Sequence, residues 1–168
     1  MKEQKMSHKV FIGIGSNLNK IKNIKSCLSK IKNDYKNVKL SPVYETKSMG
    51  FDGPNFYNLV CSFNTTEDIY KLKERLNKIE LDHGRNLNET KYSSRTLDID
   101  ILYYDNLILV DDKIKIPRKE IIEYDFVLRP LIDIDAEFIH PVLLIPNNKI
   151  EEKHDIKKHI IAKVDINL

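Results

Sequence analysis

The chain has 168 residues, 41% hydrophobic and 32% charged, with a formal net charge of +3. That length fits one domain over residues 1–168, with enough apolar side chains for a sizeable core. Acids and bases are interleaved, which argues against a nucleic-acid partner and leaves room for a local anion pocket. Cys27 and Cys61 have no CxxC spacing, so no metal finger is indicated and a reducing compartment is expected. Residues 1–9 lack the apolar stretch of a signal peptide, and no run reaches the length of a membrane span. A cytoplasmic monomer with no membrane partner is expected.

The elements follow in chain order. Val10-Phe11-Ile12-Gly13-Ile14 reads as a short apolar strand, followed by the turn Gly15-Ser16-Asn17-Leu18 with an N-cap candidate. Ile21, Ile24, Leu28 and Ile31 then mark one face of an amphipathic helix. The glycines here form GxGxxL rather than GxGxxG, and no GxxxxGK[ST] loop occurs in the chain. A nucleotide, if bound, is therefore held by other means. Residues 38–45 read as a second strand interrupted by Pro42, hence an edge or bulged strand. Gly50, Gly53 and Pro54 mark residues 47–55 as a binding loop or lid.

Residues 56–63 are strand-like, with Phe56 and Asn58 on one face. An aromatic ring beside an amide can stack a flat heterocycle and bond its edge; the same pair fits an ordinary core position. Thr65-x-x-Asp68 opens a second helix with a capping-box-like start, and Ile69, Leu72, Leu76 and Ile79 give its buried face. Gly84 closes it. The polar stretch 86–94 reads as a second lid, flanked by Arg85 and Arg95.

Residues 94–105 contain the chain's most informative pattern. Leu97, Ile99 and Ile101 alternate with Asp98 and Asp100, the period of a half-buried strand. Residues i and i+2 share a face, so the two acids stand about 6.6 Å apart at their stems. Mg²⁺ is commonly held by one or two carboxylates together with substrate phosphates, and Arg95 stands where it can grip a phosphate oxygen. The same residues also fit a solvated polar strand face. Beyond them, 107–110 reads as a strand, Lys113, Lys115, Arg118 and Lys119 cluster around Ile116-Pro117, and 126–131 is an apolar segment. A turn at 136–141 and a weakly amphipathic pattern at Ile156, Ile160 and Ile161 follow. No histidine has metal-ligand spacing. Mixed strands and helices without βαβ repetition predict an α+β fold with a mainly antiparallel sheet.

Several of these segments together resemble the 6-hydroxymethyl-7,8-dihydropterin pyrophosphokinase family. They are Ile14-Gly15-Ser16-Asn17-Leu18, Tyr44-Glu45-Thr46 with Gly50, Phe56-x-Asn58, Glu80-x-x-x-Gly84-Arg85, Arg95 to Ile101, Ile116-Pro117 and Phe126-Val127-Leu128-x-Pro130-Leu131. The resemblance implies a ferredoxin-like fold in three αβα layers, with helices on both faces of the sheet. It implies pyrophosphoryl transfer from ATP to the pterin hydroxymethyl group in folate biosynthesis, with two Mg²⁺ ions on Asp98 and Asp100. Phe56 and Phe126 would sandwich the pterin, and Thr46, Met49 and Asn58 would read its edge. Arg85, Lys91 and Arg95 would meet the ATP phosphates, with Glu80 placing that region. Ile101, Lys113 and Ile114 would line the nucleotide pocket, with Arg118 and Lys119 supplying further charge.

Several positions depart from the family pattern, among them Ser93-Ser94 in place of a Gly-Pro-like pair before Arg95. Lys47 follows Thr46 where the family has Pro, Arg118 stands where it has His, Tyr124 where it often has Arg, and Leu87 where many members are basic. Arg cannot act near neutral pH as an acid–base group. These departures keep a second reading in view, a degenerate module that binds pterin or nucleotide without turnover. A single-stranded RNA binder is a third, though no RNP-like aromatic run appears.

Overall fold

The computed structural model describes residues 3–86, 88 and 92–168. Strand β1 (His8–Ser16) leads into helix α1 (Lys20–Asp34), then β2 (Lys36–Leu40), β3 (Val43–Thr46) and β4 (Phe56–Thr65). Helix α2 (Ile69–Asp82) and β5 (Asp98–Tyr104) follow, then a small hairpin of β6 (Leu109–Val110) and β7 (Lys115–Ile116). Helix α3 (Asp125–Ile134) and β8 (Ile160–Val164) close the order. The main sheet runs β5-β1-β4-β3-β8, with β2 also paired to β4, and its pairings are antiparallel. Reading β2 and β3 as one broken strand, this is the split βαββαβ order of the ferredoxin-like fold, with β8 added at one edge.

The sheet lies between two apolar cores, which explains why β1 is almost continuously apolar. Val10, Ile12 and Ile14 pack with Ile24, Leu28, Leu72 and Ile79 of α1 and α2. Phe11, on the alternate face, packs with Val60, Leu102, Leu128 and Leu131 on the α3 side. Three layers result. Cys27 and Cys61 are both buried in the first core, where burial pushes each thiol up to about 12. They are packing residues there, held in the thiol form.

Some elements differ from the sequence expectation. The buried stripe of α1 begins at Ile24 and includes Cys27, while Ile21 is 44% exposed in the first turn. The N-cap of α1 is Asn19, in the left-handed region at φ 46 without a side-chain cap bond. In α2 the cap is Asp68, whose side chain accepts from Tyr70 N and Lys71 N at 3.0 Å. Pro42 does break the 38–45 strand, yet pairing to β4 continues. Ser41 N donates to Val60 O and Val60 N donates to Ser41 Oγ, both at 2.9 Å. A hydroxyl there replaces a ladder carbonyl. Only the β2 half is an edge, because β8 covers β3.

The apolar segment 126–131 is helical, inside α3, and carries Pro130 within the helix. Of the pattern at Ile156, Ile160 and Ile161, the last two lie in strand β8 and Ile156 precedes it outside any helix or strand. Ile156 is buried against the α3 side and Ile161 is half exposed at the added edge. The acid strand begins only at Asp98; Leu97 is fully buried but lies outside the ladder.

Candidate active site

Strand register assembles the site. Gly15 pairs with Asn58 on one side and with Asp98 on the other, while Gly13 pairs with Val60 and Asp100. On β4 and β3, Asn58 pairs with Tyr44 and Phe56 with Thr46. Asn58, Gly15 and Asp98 thus form a row across three strands, on the face that packs α3. At about 4.8 Å per strand, Asn58 and Asp98 stand about 10 Å apart. The glycine between them leaves the floor without a side chain. A Cβ on Gly15 would stand 3.1 Å from Asn58 Oδ1 and 4.0 Å from Phe56 Cδ1.

The cleft above this floor has an aromatic end and a charged end. Phe56, at the start of β4, and Phe126, in the first turn of α3, both line it, as do Thr46, Met49 and Asn58. Asn58 Nδ2 donates to Thr46 Oγ1 at 2.9 Å, which fixes the amide and turns its oxygen over Gly15. Phe51 adds an edge-on ring 6.4 Å from Phe56. The two loops meet at the cleft rim. Gly50 has φ +75, and a Cβ there would lie 3.1 Å from the Tyr92 ring.

Asp98 and Asp100 form the charged end, with Arg95 and Arg118 beside them. Each acid side chain is 39% exposed toward the cleft and walled by protein elsewhere. Burial and the charge of Asp98 push Asp100 up to about 6, against the pull of Arg118. Burial and Glu80 raise Asp98, opposed by Arg85, Arg95 and Arg118. The pair is thus a concentrated, poorly solvated negative site that gains from an added cation. Among the described residues no cluster of three or more metal-ligand side chains occurs. Two hard carboxylates fit a magnesium site completed by water and substrate phosphates, not an all-protein cage.

A second layer holds these charges in place. Glu80 is buried at the end of α2, where its Oε1 accepts from Ile99 N at 2.8 Å. Its other oxygen pairs with Arg85, and Arg85 Nη1 reaches Asp98 Oδ1 at 3.3 Å. Burial raises the Glu80 carboxyl, while Ile99 N–H and Arg85 oppose the rise. Arg95 is only 8% exposed. Its backbone N donates to Asn17 Oδ1 at 2.7 Å, and its carbonyl accepts from Asn17 N at 3.0 Å. Asn17 Nδ2 also donates to Pro54 O and Ser94 Oγ, at 3.1 and 3.2 Å, tying both loops to the end of β1. The polar turn after β1 read as a helix cap is therefore a staple for the site.

The structure brings together most of the residues expected from sequence. Arg85 joins them through Asp98, and Glu80 supports them from behind. Ile101 lies on the opposite strand face, buried in the α1–α2 core, and Ile114 is buried there as well. Lys113 is exposed on the β6–β7 turn, where its backbone N donates to Asp111 Oδ1 at 2.8 Å. Lys119 is 72% exposed and stands 3.9 Å from Glu123. None of these four lines the cleft. Lys91 and Leu87 lie outside the described residues. Lys47, Phe51, Tyr92 and Glu120 line the cleft without having been singled out as site residues. The breakers around 47–55 marked a binding loop, but nothing in a loop's sequence says which side chains turn inward.

Residues 11–136 match the family model described as 7,8-dihydro-6-hydroxymethylpterin-pyrophosphokinase (HPPK). The chain is 38% identical over 154 residues to the folic acid synthesis protein fol1 of Pneumocystis carinii, covering 88% of this chain and 21% of that protein. It is 31% identical over 150 residues to the 2-amino-4-hydroxy-6-hydroxymethyldihydropteridine pyrophosphokinase of Aquifex aeolicus, covering 88% of this chain and 93% of that one. The chain therefore spans about a fifth of the fungal protein and nearly all of the bacterial enzyme. The crystal structure of Plasmodium falciparum HPPK-DHPS with pteroate superposes with a TM-score of 0.71 at 13% identity, over 91% of this chain and 43% of that one. That likeness shows the fold. No described helix is long and apolar enough to cross a membrane.

Proposed function

The chain belongs to the 7,8-dihydro-6-hydroxymethylpterin-pyrophosphokinase family, and from that premise we propose that it moves a pyrophosphoryl group from ATP to the hydroxymethyl oxygen of 6-hydroxymethyl-7,8-dihydropterin, releasing AMP in folate biosynthesis. The observation that carries this reading is the row Asn58, Gly15, Asp98. It sets an amide that can read a heterocycle edge and an acid that can serve a phosphate at either end of a side-chain-free floor.

The pterin lies between Phe56 and Phe126, with Asn58, Thr46 and Met49 at its edge. Asp98 and Asp100 would hold magnesium, two ions being expected. When bound, Mg²⁺ neutralises phosphate charge and lowers the pKa of a coordinated hydroxyl. The chain's own residues bind and align. In-line phosphoryl-type transfer needs positioning and charge stabilisation rather than a covalent nucleophile. Arg95, fixed by Asn17, supplies a preset cation, and Arg85 is aimed by Glu80. Arg118, which lines the cleft beside the two acids, extends positive charge toward the nucleotide. The residues 1–168 act as one cytoplasmic domain and a monomer.

AMP formation from ATP and Mg²⁺, with and without the pterin, tests this reading. Pterin-dependent AMP upholds it. Pterin binding by calorimetry without AMP would instead support the binding module, for which the Arg118 and Tyr124 positions speak.

A further inference from the structure

The C-terminal segment lies beyond the stretch matched by the family model, yet it is bonded to the element that carries Phe126. Lys157 N donates to Glu123 O at 2.8 Å, and Asp125 N donates to Lys157 O at 3.1 Å. A parallel bridge joins Tyr124 and Lys157. The Asp125 carboxylate then takes the next two donors, His159 N on Oδ1 at 2.9 Å and Ile160 N on Oδ2 at 3.1 Å. Asp125 opens α3, so the same carboxylate also complements the helix N-terminus. One acid locks the entry of β8 to the start of α3.

The side chains continue this contact. The Tyr124 ring stacks on Phe126 with centroids 5.2 Å apart and planes at 21°. The His159 ring stands 5.6 Å from Tyr124 and 6.1 Å from Phe126, edge-on to the latter. Lys157 Nζ lies 5.4 Å from the Tyr124 centroid. Phe126 lines the cleft, and Tyr124, Lys157 and His159 do not. The ring offered to the cleft is therefore backed by two aromatic groups, Tyr124, bridged to the C-terminal segment, and His159, which belongs to it.

We propose that Tyr124, Asp125 and His159 are positioning residues that hold the Phe126 ring in the orientation that meets the heterocycle. The heterocycle's identity as a pterin rests on the function proposed above. A ring already held in place loses little freedom on binding, whereas a loose one must be ordered by the ligand. A side chain turned about 30° from its rotamer loses about 2- to 12-fold in equilibrium terms.

Fluorine NMR on protein labelled with 4-fluorophenylalanine reads Phe126 directly, without any ligand. Asp125→Ala and Tyr124→Leu are each expected to shift and broaden its resonance. They should raise the pterin KM about threefold to tenfold and leave the ATP KM within about twofold. Tyr124→Phe, which keeps the stack, should restore both readings. An unmoved resonance in both variants overturns the proposal. Equal weakening of pterin and ATP also overturns it, since that marks a general loss of structure. If the unmodified protein shows no use of pterin while the resonance still moves, the hold on Phe126 is upheld and the proposed activity is what falls.

Discussion

Glu80 Oε1 accepts a 2.8 Å hydrogen bond from the backbone N–H of Ile99, the residue between the two acids. One helix-borne carboxylate thereby fixes the acid strand, and its pairing with Arg85 fixes a cation beside Asp98. Glu80→Ala takes the acceptor from a buried backbone donor and removes one of the carboxylates that pair with Arg85. It should cost about 2–4 kcal/mol of stability by urea denaturation and sharply reduce turnover. Glu80→Gln keeps an acceptor for Ile99 and should cost less in stability while still lowering kcat. Equal effects of the two variants on turnover at matched stability would remove the charge of Glu80 from the explanation.

Asp98 and Asp100 are held above the usual carboxylate range, Asp100 at about 6. A carboxyl raised in the folded state binds protons more tightly there than in the unfolded chain, so the metal-free protein should gain stability as pH falls from 7 toward 4. That gain is lost as pH rises through about 6. Because the acids are partly exposed, its size is on the order of 1 kcal/mol for Asp100. Asp100→Asn should flatten this slope and stabilise the metal-free protein at pH 7, while abolishing turnover and sparing pterin binding. Thermal melts across pH without divalent metal check it. A wild-type slope unchanged in the variant assigns the pH dependence to other groups.

Gly15 keeps the floor open between Asn58 and Asp98. Gly15→Ala places a Cβ 3.1 Å from Asn58 Oδ1, closer than ordinary contact, so the amide must give way. Pterin affinity should fall about tenfold, as for a modest overpacking cost of 1–3 kcal/mol. Phe56→Ala should weaken pterin by about 1–3 kcal/mol if it stacks as bases do on aromatics. Calorimetry with an inert ATP analogue reads both. Unchanged affinity in Gly15→Ala would mean that the ring does not rest over the floor.

Much of this site is legible in the sequence because strand alternation is local. Asp98 and Asp100 share a face whatever the strand pairs with, as do Phe56 and Asn58. Which strands lie side by side is not local, so the Asn58–Gly15–Asp98 row appears only once the register is known. The role of Asn17 is hidden for the same reason, since its partners Pro54, Ser94 and Arg95 come from two distant loops. Residues 126–131 show no clear helical period in sequence, because apolar residues run nearly unbroken there and Pro130, a poor helix former, sits inside the ten-residue helix. The β8 strand is only five residues long, too short for alternation to declare itself.

Arg118 Nη2 stands 3.9 Å from Asp100 Oδ1 and donates to Glu120 Oε1 at 3.0 Å. Among the described residues its Nε and Glu120 Oε2 are buried without hydrogen-bond partners, so the pair does not form a complete network there. In this position the guanidinium supplies the acids with part of the positive charge that a metal would supply. Two charges at that distance interact by about 4 kcal/mol at an effective dielectric of 20, and partial exposure reduces this to on the order of 1 kcal/mol. Arg118→Met should therefore tighten Mn²⁺ binding about threefold to tenfold without nucleotide. The comparison belongs at pH 8, above the titration of Asp100, because losing Arg118 also lets its carboxyl rise further and protons compete with metal below that. The same variant should weaken ATP in the presence of metal, since the cation is then missing from the phosphates. Electron paramagnetic resonance of free Mn²⁺ gives the first quantity and calorimetry the second. Weaker metal binding in the variant would show that Arg118 organises the acids rather than competing for them.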